Sequence, residues 1–231
     1  MDRLASMDLG AHFFFQNQVR RPWLDPVAKG ITFLGNEPVL MAVTVLAALL
    51  FLVARRPRTA LAVVLSGFLS LSIIHSVKPL VGRDRPPEVV NPVIDGPNDR
   101  QSFPSGHALG STAVYGAVAL GLAQLLPRPG SRRLVIALGF ALGFVIGVTR
   151  LYLGVHFVFD VVGGWTAGVA CALFGHWFDL AFAPRGALVP ELGPGPLAAG
   201  VGLALPAPDA VLAQPQASAD AIRRAGEITA G

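Results

Sequence analysis

Residues 38–182 form a succession of long apolar runs, broken only by short clusters rich in Arg, Lys and Pro. Each run approaches the roughly 20 residues a helix needs to cross a bilayer, so this chain is expected to be a bundle of spanning helices. Composition supports the same reading: 53% of the residues are hydrophobic and 14% charged, too little charge to cover the surface of a soluble domain of 231 residues.

The pattern predicts an all-α, polytopic membrane bundle with five spans. These are 38–54, 59–77, a third opening at Ser105 or His107 and reaching Leu126, 134–149, and a fifth that starts within 149–160 and runs toward Phe182. Residues 1–37 read as an amino-terminal interfacial segment. Phe13, Phe14, Phe15 and Trp23 alternate there with Arg20, Arg21, Asp25 and Lys29, a mixture too polar to span and suited to lying along the membrane surface. A sixth span would require this segment to cross. Residues 38–183 are the membrane domain, and 184–231, rich in Pro, Ala and Gly, read as a disordered cytoplasmic tail. No cleavable signal peptide is expected, and the single Cys171, within an apolar run, reads as a small buried hydrophobe.

Counting crossings assigns sides. Arg55, Arg56 and Arg58 separate the first two runs, while Arg128, Arg132 and Arg133 separate the third and fourth, so both clusters fall on one side. The positive-inside rule makes that side cytoplasmic. The end of the second run, the start of the third and the junction of the fourth and fifth then meet at the extracytoplasmic face of the inner (plasma) membrane. Positive charge lies in clusters rather than on one basic face, so nucleic acid is not an expected partner.

Those three segments hold the polar residues that an apolar chain would otherwise avoid. An ionisable group at membrane depth is costly enough that a functional role is the default hypothesis. Arg150, His156 and Asp160 occupy the last segment. If the chain is helical from Val155, His156 and Asp160 stand at i and i+4 on one face, and the carboxylate can hold the imidazole in one tautomer. Gly154 allows the turn that would bring Arg150 to them. Lys78 and Arg85, seven residues apart, would share a helix face about 10.5 Å apart along the axis, although Pro79 and Pro86 complicate that geometry. Alone they would be a solvated pair at the end of a span. Ser105, Gly106 and His107 sit where a loop enters the third run, and free N–H groups at a helix start suit an anion, although alone the motif would be a capped helix start.

Together, the cations Lys78, Arg85 and Arg150 and the neutral donors of Ser105 and Gly106 are the groups a phosphoryl dianion requires. The histidines can divide the chemistry. His156, backed by Asp160, is the better nucleophile, and His107, at a helix start beside cations, is the general acid. Among other residues, Arg83 and Asp84 are expected to pair locally or guard the entrance. His12 shows no partner, and His176 and Asp179 are expected to snorkel at the cytoplasmic interface.

Lys78-x6-Arg85-Pro86, Pro104-Ser105-Gly106-His107 and Arg150-x5-His156-x3-Asp160 together resemble the three-part signature of the type 2 phosphatidic acid phosphatase superfamily. The resemblance covers Lys78 to Asp160 and departs at Thr149, where the family usually has Ser. It implies a phosphatase that needs no metal or cofactor and works through a phosphohistidine. In that reading His156 is the nucleophile, Asp160 its orienter and His107 the acid, with Lys78, Arg85, Ser105, Gly106 and Arg150 holding the phosphoryl group. The implied partners are the bilayer and a lipid phosphate, with undecaprenyl diphosphate favoured. Phosphatidylglycerol phosphate or phosphatidate hydrolysis and lipid phosphotransfer are the enzymatic alternatives, and a non-catalytic transport or structural protein is the alternative from another class. Oligomeric state is left open.

Overall fold

A computed structural model describes residues 3–86 and 100–182. The tail 184–231 and most of the loop after Pro86, from which substrate choice would be expected to come, lie outside the described residues. Among the described residues seven α-helices follow one another: α1 Arg3–Phe14, α2 Asp25–Phe33, α3 Glu37–Val53, α4 Pro57–Val81, α5 Gly106–Ala123, α6 Pro129–Tyr152 and α7 Val158–Ala181. A π-helical turn, Phe15–Val19, and a 3₁₀ turn, Pro22–Leu24, join α1 to α2. Among the described residues the only β pairing is an isolated bridge between Asp84 and Gln101.

The five apolar runs become α3 to α7. Helix starts follow proline: Pro38, Pro57 and Pro129 stand in the first turns of α3, α4 and α6, where the fixed φ suits the helix and no donor is lost. For that reason α6 begins at Pro129, ahead of the Arg132–Arg133 pair that the sequence reading assigned to a loop. By length and apolarity, α4, α6 and α7 can each cross a membrane, and α2 with α3, bent by 45°, passes as one broken span.

Helix α5 is the exception, and its place in the bundle explains why. Its 18 residues are rich in Gly, Ala, Ser and Thr, and thirteen of them are buried among the other helices. A helix surrounded by protein needs small residues for close packing rather than lipid-facing bulk. Helix α7 meets it through Gly164 and Gly168. A Cβ at those positions would lie 2.8 Å from the Ser105 carbonyl oxygen and 2.6 Å from that of Leu109, so only glycine permits the approach. Outward faces carry the bulk instead: Leu46 and Val53 of α3, Phe68 of α4, Leu138 of α6 and Trp177 of α7 are all exposed. Exposed apolar surface on this scale fits hydrocarbon as solvent.

Candidate active site

The connection between α6 and α7 is built by a helix stop. Gly154 adopts φ +73°, its N–H donates to the Leu151 carbonyl at 3.1 Å, and the Val155 N–H donates to the Arg150 carbonyl at 3.1 Å. This Schellman closure satisfies two terminal carbonyls and turns the chain sharply. His156 therefore precedes α7 rather than lying within it, which corrects the expectation of an i, i+4 pair on one helix. Asp160 instead occupies the first turn of α7, where its Oδ2 accepts the Phe157 N–H at 2.9 Å. The same oxygen faces His156 Nδ1 at 3.5 Å, longer than an ideal hydrogen bond and within reach of tightening. Burial pushes the His156 imidazole down to about 4, and the charges of Arg85 and Arg150 act in the same direction against the opposing pull of Asp160. His156 is therefore neutral at ordinary pH.

Lys78 and Arg85 do not share a helix face. Helix α4 runs through Pro79 but stops at Gly82, whose φ of +60° leaves Arg85 beyond the helix. Arg85 turns back to donate to the Val155 carbonyl at 3.1 Å. Ser105 is the residue before α5, and its buried Oγ has no hydrogen-bond partner among the described residues. Its N–H donates to the Asp160 carbonyl at 3.0 Å, tying the start of α5 to the start of α7. His107 Nε2 lies 2.9 Å from Asn36 Oδ1, an acceptor that places the proton on that nitrogen.

One cavity of about 490 Å³ gathers these groups, with Lys78, Arg85, Gly106, His107 and His156 on its wall. Ser105, Arg150 and Asp160, the remaining three residues expected from the sequence, are fully buried and do not line it. Arg150 donates from Nη1 to Thr32 Oγ1 at 2.9 Å. Away from the polar end, Leu40, Met41 and Val45 of α3 face Phe68, Leu71 and Ile74 of α4 across the cavity. The arrangement offers a neutral imidazole, a second imidazole with a proton on Nε2 and two cations at the head of an apolar groove.

Several partners escaped the sequence reading because they come from elsewhere in the chain. Among the described residues Arg83 pairs with two distant carboxylates rather than with Asp84. It donates to Asp160 Oδ1 at 2.8 Å and to Asp8 Oδ2 at 2.7 Å. His12 is buried with its ring edge-on to Phe157, 6.0 Å between centroids. Thr32 and Asn36 are single polar residues whose neighbours in sequence do not single them out. Asp179, expected to snorkel, is buried and accepts from Thr59 Oγ1 at 2.9 Å and Gln124 Nε2 at 2.7 Å.

The family described as the PAP2 superfamily matches residues 58–182, more than half of the chain, and the protein belongs to that superfamily. It is thus a membrane phosphatase of the lipid phosphate class. Phosphatidylglycerophosphatase B of Bacillus subtilis is 30% identical over 162 residues, covering 70% of this chain and 78% of that protein. An undecaprenyl-diphosphatase of Sulfolobus acidocaldarius is 32% identical over 136 residues, 58% of this chain and 60% of its own. The crystal structure of the transmembrane PAP2-type phosphatidylglycerolphosphate phosphatase from Bacillus subtilis superposes with a TM-score of 0.72 at 28% identity, over 80% of this chain and 90% of that one.

Proposed function

We propose that the protein dephosphorylates a lipid phosphate or diphosphate without a metal, through a phosphohistidine on His156. The observation that carries this reading is a cavity with His107, His156, Lys78 and Arg85 at one end and apolar walls from α3 and α4 along its length. A phosphate head belongs at the polar end and a hydrocarbon chain between the helices.

With its proton on Nδ1 facing Asp160, His156 presents the Nε2 lone pair to phosphorus. A P–N bond forms as the bond from phosphorus to the leaving oxygen breaks, and that oxygen takes the Nε2 proton of His107. In the second half, water attacks phosphorus, His107 recovers a proton from it, and the P–N bond breaks to release inorganic phosphate. Lys78 and Arg85 on the wall, with the open N–H groups at the start of α5, offset the phosphoryl charge directly, and Arg150 and Ser105, buried behind the wall, support them from a second layer. The five helices α3 to α7 are the spans, and the site faces the extracytoplasmic side of the inner membrane, opposite the arginine clusters of the α3–α4 and α5–α6 connections.

The preferred substrate in this reading is undecaprenyl diphosphate, which an outward-facing site suits. Phosphatidylglycerol phosphate is the second reading, favoured by the extent of the match to the Bacillus subtilis phosphatidylglycerophosphatase B. The purified protein, tested against a panel of lipid phosphates in EDTA, is expected to release inorganic phosphate, with undecaprenyl diphosphate hydrolysed fastest. Faster release from phosphatidylglycerol phosphate selects the second reading. Transfer of labelled phosphate to an acceptor hydroxyl instead of water makes the protein a phosphotransferase. Absence of turnover on every lipid phosphate defeats the reading as a whole.

A further inference from the structure

The amino-terminal helix lies outside the residues matched by the family, yet it sends a buried carboxylate toward the site. Asp8 in α1 is 1% exposed and Asp160 in α7 is 0% exposed, and one guanidinium bridges them. Arg83 donates from Nη2 to Asp8 Oδ2 at 2.7 Å and from Nη1 to Asp160 Oδ1 at 2.8 Å, while its Cζ sits 4.4 Å from the centroid of the Phe157 ring. Asp8 Oδ1 also accepts the N–H of Phe159 at 3.2 Å, in the first turn of α7.

Farther along, the same segment straps the end of α6. Gln16 Nε2 reaches the carbonyls of Leu151 and Tyr152, each at 3.2 Å. The Tyr152 hydroxyl donates to the Arg21 carbonyl at 2.7 Å, and Arg20 pairs with Asp25 at 2.7 Å. These contacts would suffice to dock the segment, and they leave the cost of burying Asp8 unexplained. A buried carboxylate is costly unless its pairing is close to ideal.

We propose that Asp8 is a positioning residue for the reaction: through Arg83 it aims and charges the Asp160 carboxylate that stands behind His156. Two physical reasons support this assignment. Guanidinium donors have a fixed planar geometry, so holding Nη2 on Asp8 also fixes the direction of Nη1 toward Asp160 Oδ1. That leaves Oδ2 for the Phe157 N–H and for His156. Charge is the second reason. One guanidinium shared by two carboxylates leaves the trio net negative, so Asp160 can still stabilise the imidazole as it becomes cationic in the phosphoenzyme. Without Asp8, Arg83 would neutralise Asp160 completely.

The inference rests on the proposed phosphohistidine reaction, and kinetics on the full-length protein in nanodiscs separate the two. The substrate is the lipid phosphate that the unsubstituted protein hydrolyses fastest. Asp8→Asn keeps the shape of the side chain and an acceptor for the Phe159 N–H but removes the charge. It is expected to lower kcat about tenfold or more with KM within about twofold. In an Arg83→Gln background the same substitution is expected to change kcat by less than about twofold, because its route to Asp160 is already gone. Arg83→Lys, which cannot span both carboxylates, is expected to match Arg83→Gln, and it tests the relay even if Asp8→Asn fails to fold. Unchanged kcat in Asp8→Asn or in Arg83→Lys overturns the proposal. So does an Asp8→Asn loss that is equally large with and without Arg83, since that would mark a simple anchor for α1. A wild-type protein inert toward all lipid phosphates would instead defeat the underlying reaction.

Discussion

Helix α7 buries an aspartate at each end, and the two are held in opposite ways. Asp160 opens the helix and Asp179 stands near its close, roughly 28 Å apart by the α-helical rise. Among the described residues Asp179 accepts from neutral groups, Thr59 Oγ1 and Gln124 Nε2, and so cross-links α7 to α4 and to the end of α5. Asp160 meets a guanidinium, a backbone N–H and an imidazole on the wall of a cavity. Neutral donors hold a carboxylate in place. Cationic partners and a neighbouring imidazole also set its charge and aim, which is what a nucleophile's orienter requires.

The largest effects are expected at the cavity end. His156→Ala is expected to lower phosphate release by at least ~10³-fold, while EDTA leaves the unsubstituted protein active; a phosphate-release assay checks both. His107→Ala comes next, with a loss of ~10²- to 10⁴-fold on lipid phosphates. On an aryl phosphate, whose leaving group needs no proton, the His107→Ala loss should shrink to less than about tenfold, and an equal loss on both substrates would remove the general-acid assignment.

Smaller effects sharpen the groove and the opposite end. Leu71→Trp, which fills the cavity between α3 and α4, is expected to raise KM about tenfold for a long-chain substrate and to leave a short-chain analogue nearly unchanged. Asp179→Ala strands the buried Thr59 hydroxyl and the half-buried Gln124 amide, and is expected to cost about 1–2 kcal/mol of stability, with kcat within about twofold of the unsubstituted protein. Thermal melting together with turnover measures that contrast. A large kcat defect in Asp179→Ala with an unchanged melting midpoint would erase the distinction between the two carboxylates.

Acid adds a final contrast. Because folding lowers His156 from its ordinary value to about 4, the unfolded chain binds the extra proton first. The contribution to stability is intact above about pH 6.5 and lost progressively as pH falls to about 4, amounting to roughly 3 kcal/mol. Melting curves of His156→Asn should fall less over that window than those of the unsubstituted protein, and parallel curves would contradict the burial argument.

The residues proposed to carry the chemistry were legible in the sequence because they interrupt apolar runs where polarity is costly. Lys78, Arg85, Gly106, His107 and His156 all stand on one cavity wall, as crossing number alone implied they should meet. Their local geometry was less legible. A periodic reading continues a helix until something stops it, and here Gly82 and Gly154 stop α4 and α6 just before Arg85 and His156. The relay from Asp8 was invisible, because an aspartate in a mixed polar segment carries no mark of a contact 75 residues away at Arg83.

By itself, then, the sequence determined a helical membrane chain, the three segments that meet and the residue types gathered there, since each follows from hydropathy, turn chemistry and the cost of charge in lipid. Tertiary structure alone decided that α5 is the enclosed helix, that Asn36 and Thr32 stand beside His107 and Arg150, and that Arg83 serves two carboxylates. The physical reason is the reach of the interactions. Burial preferences act residue by residue along the chain, whereas a hydrogen bond between distant segments exists only once packing has brought its donor and acceptor within about 3 Å.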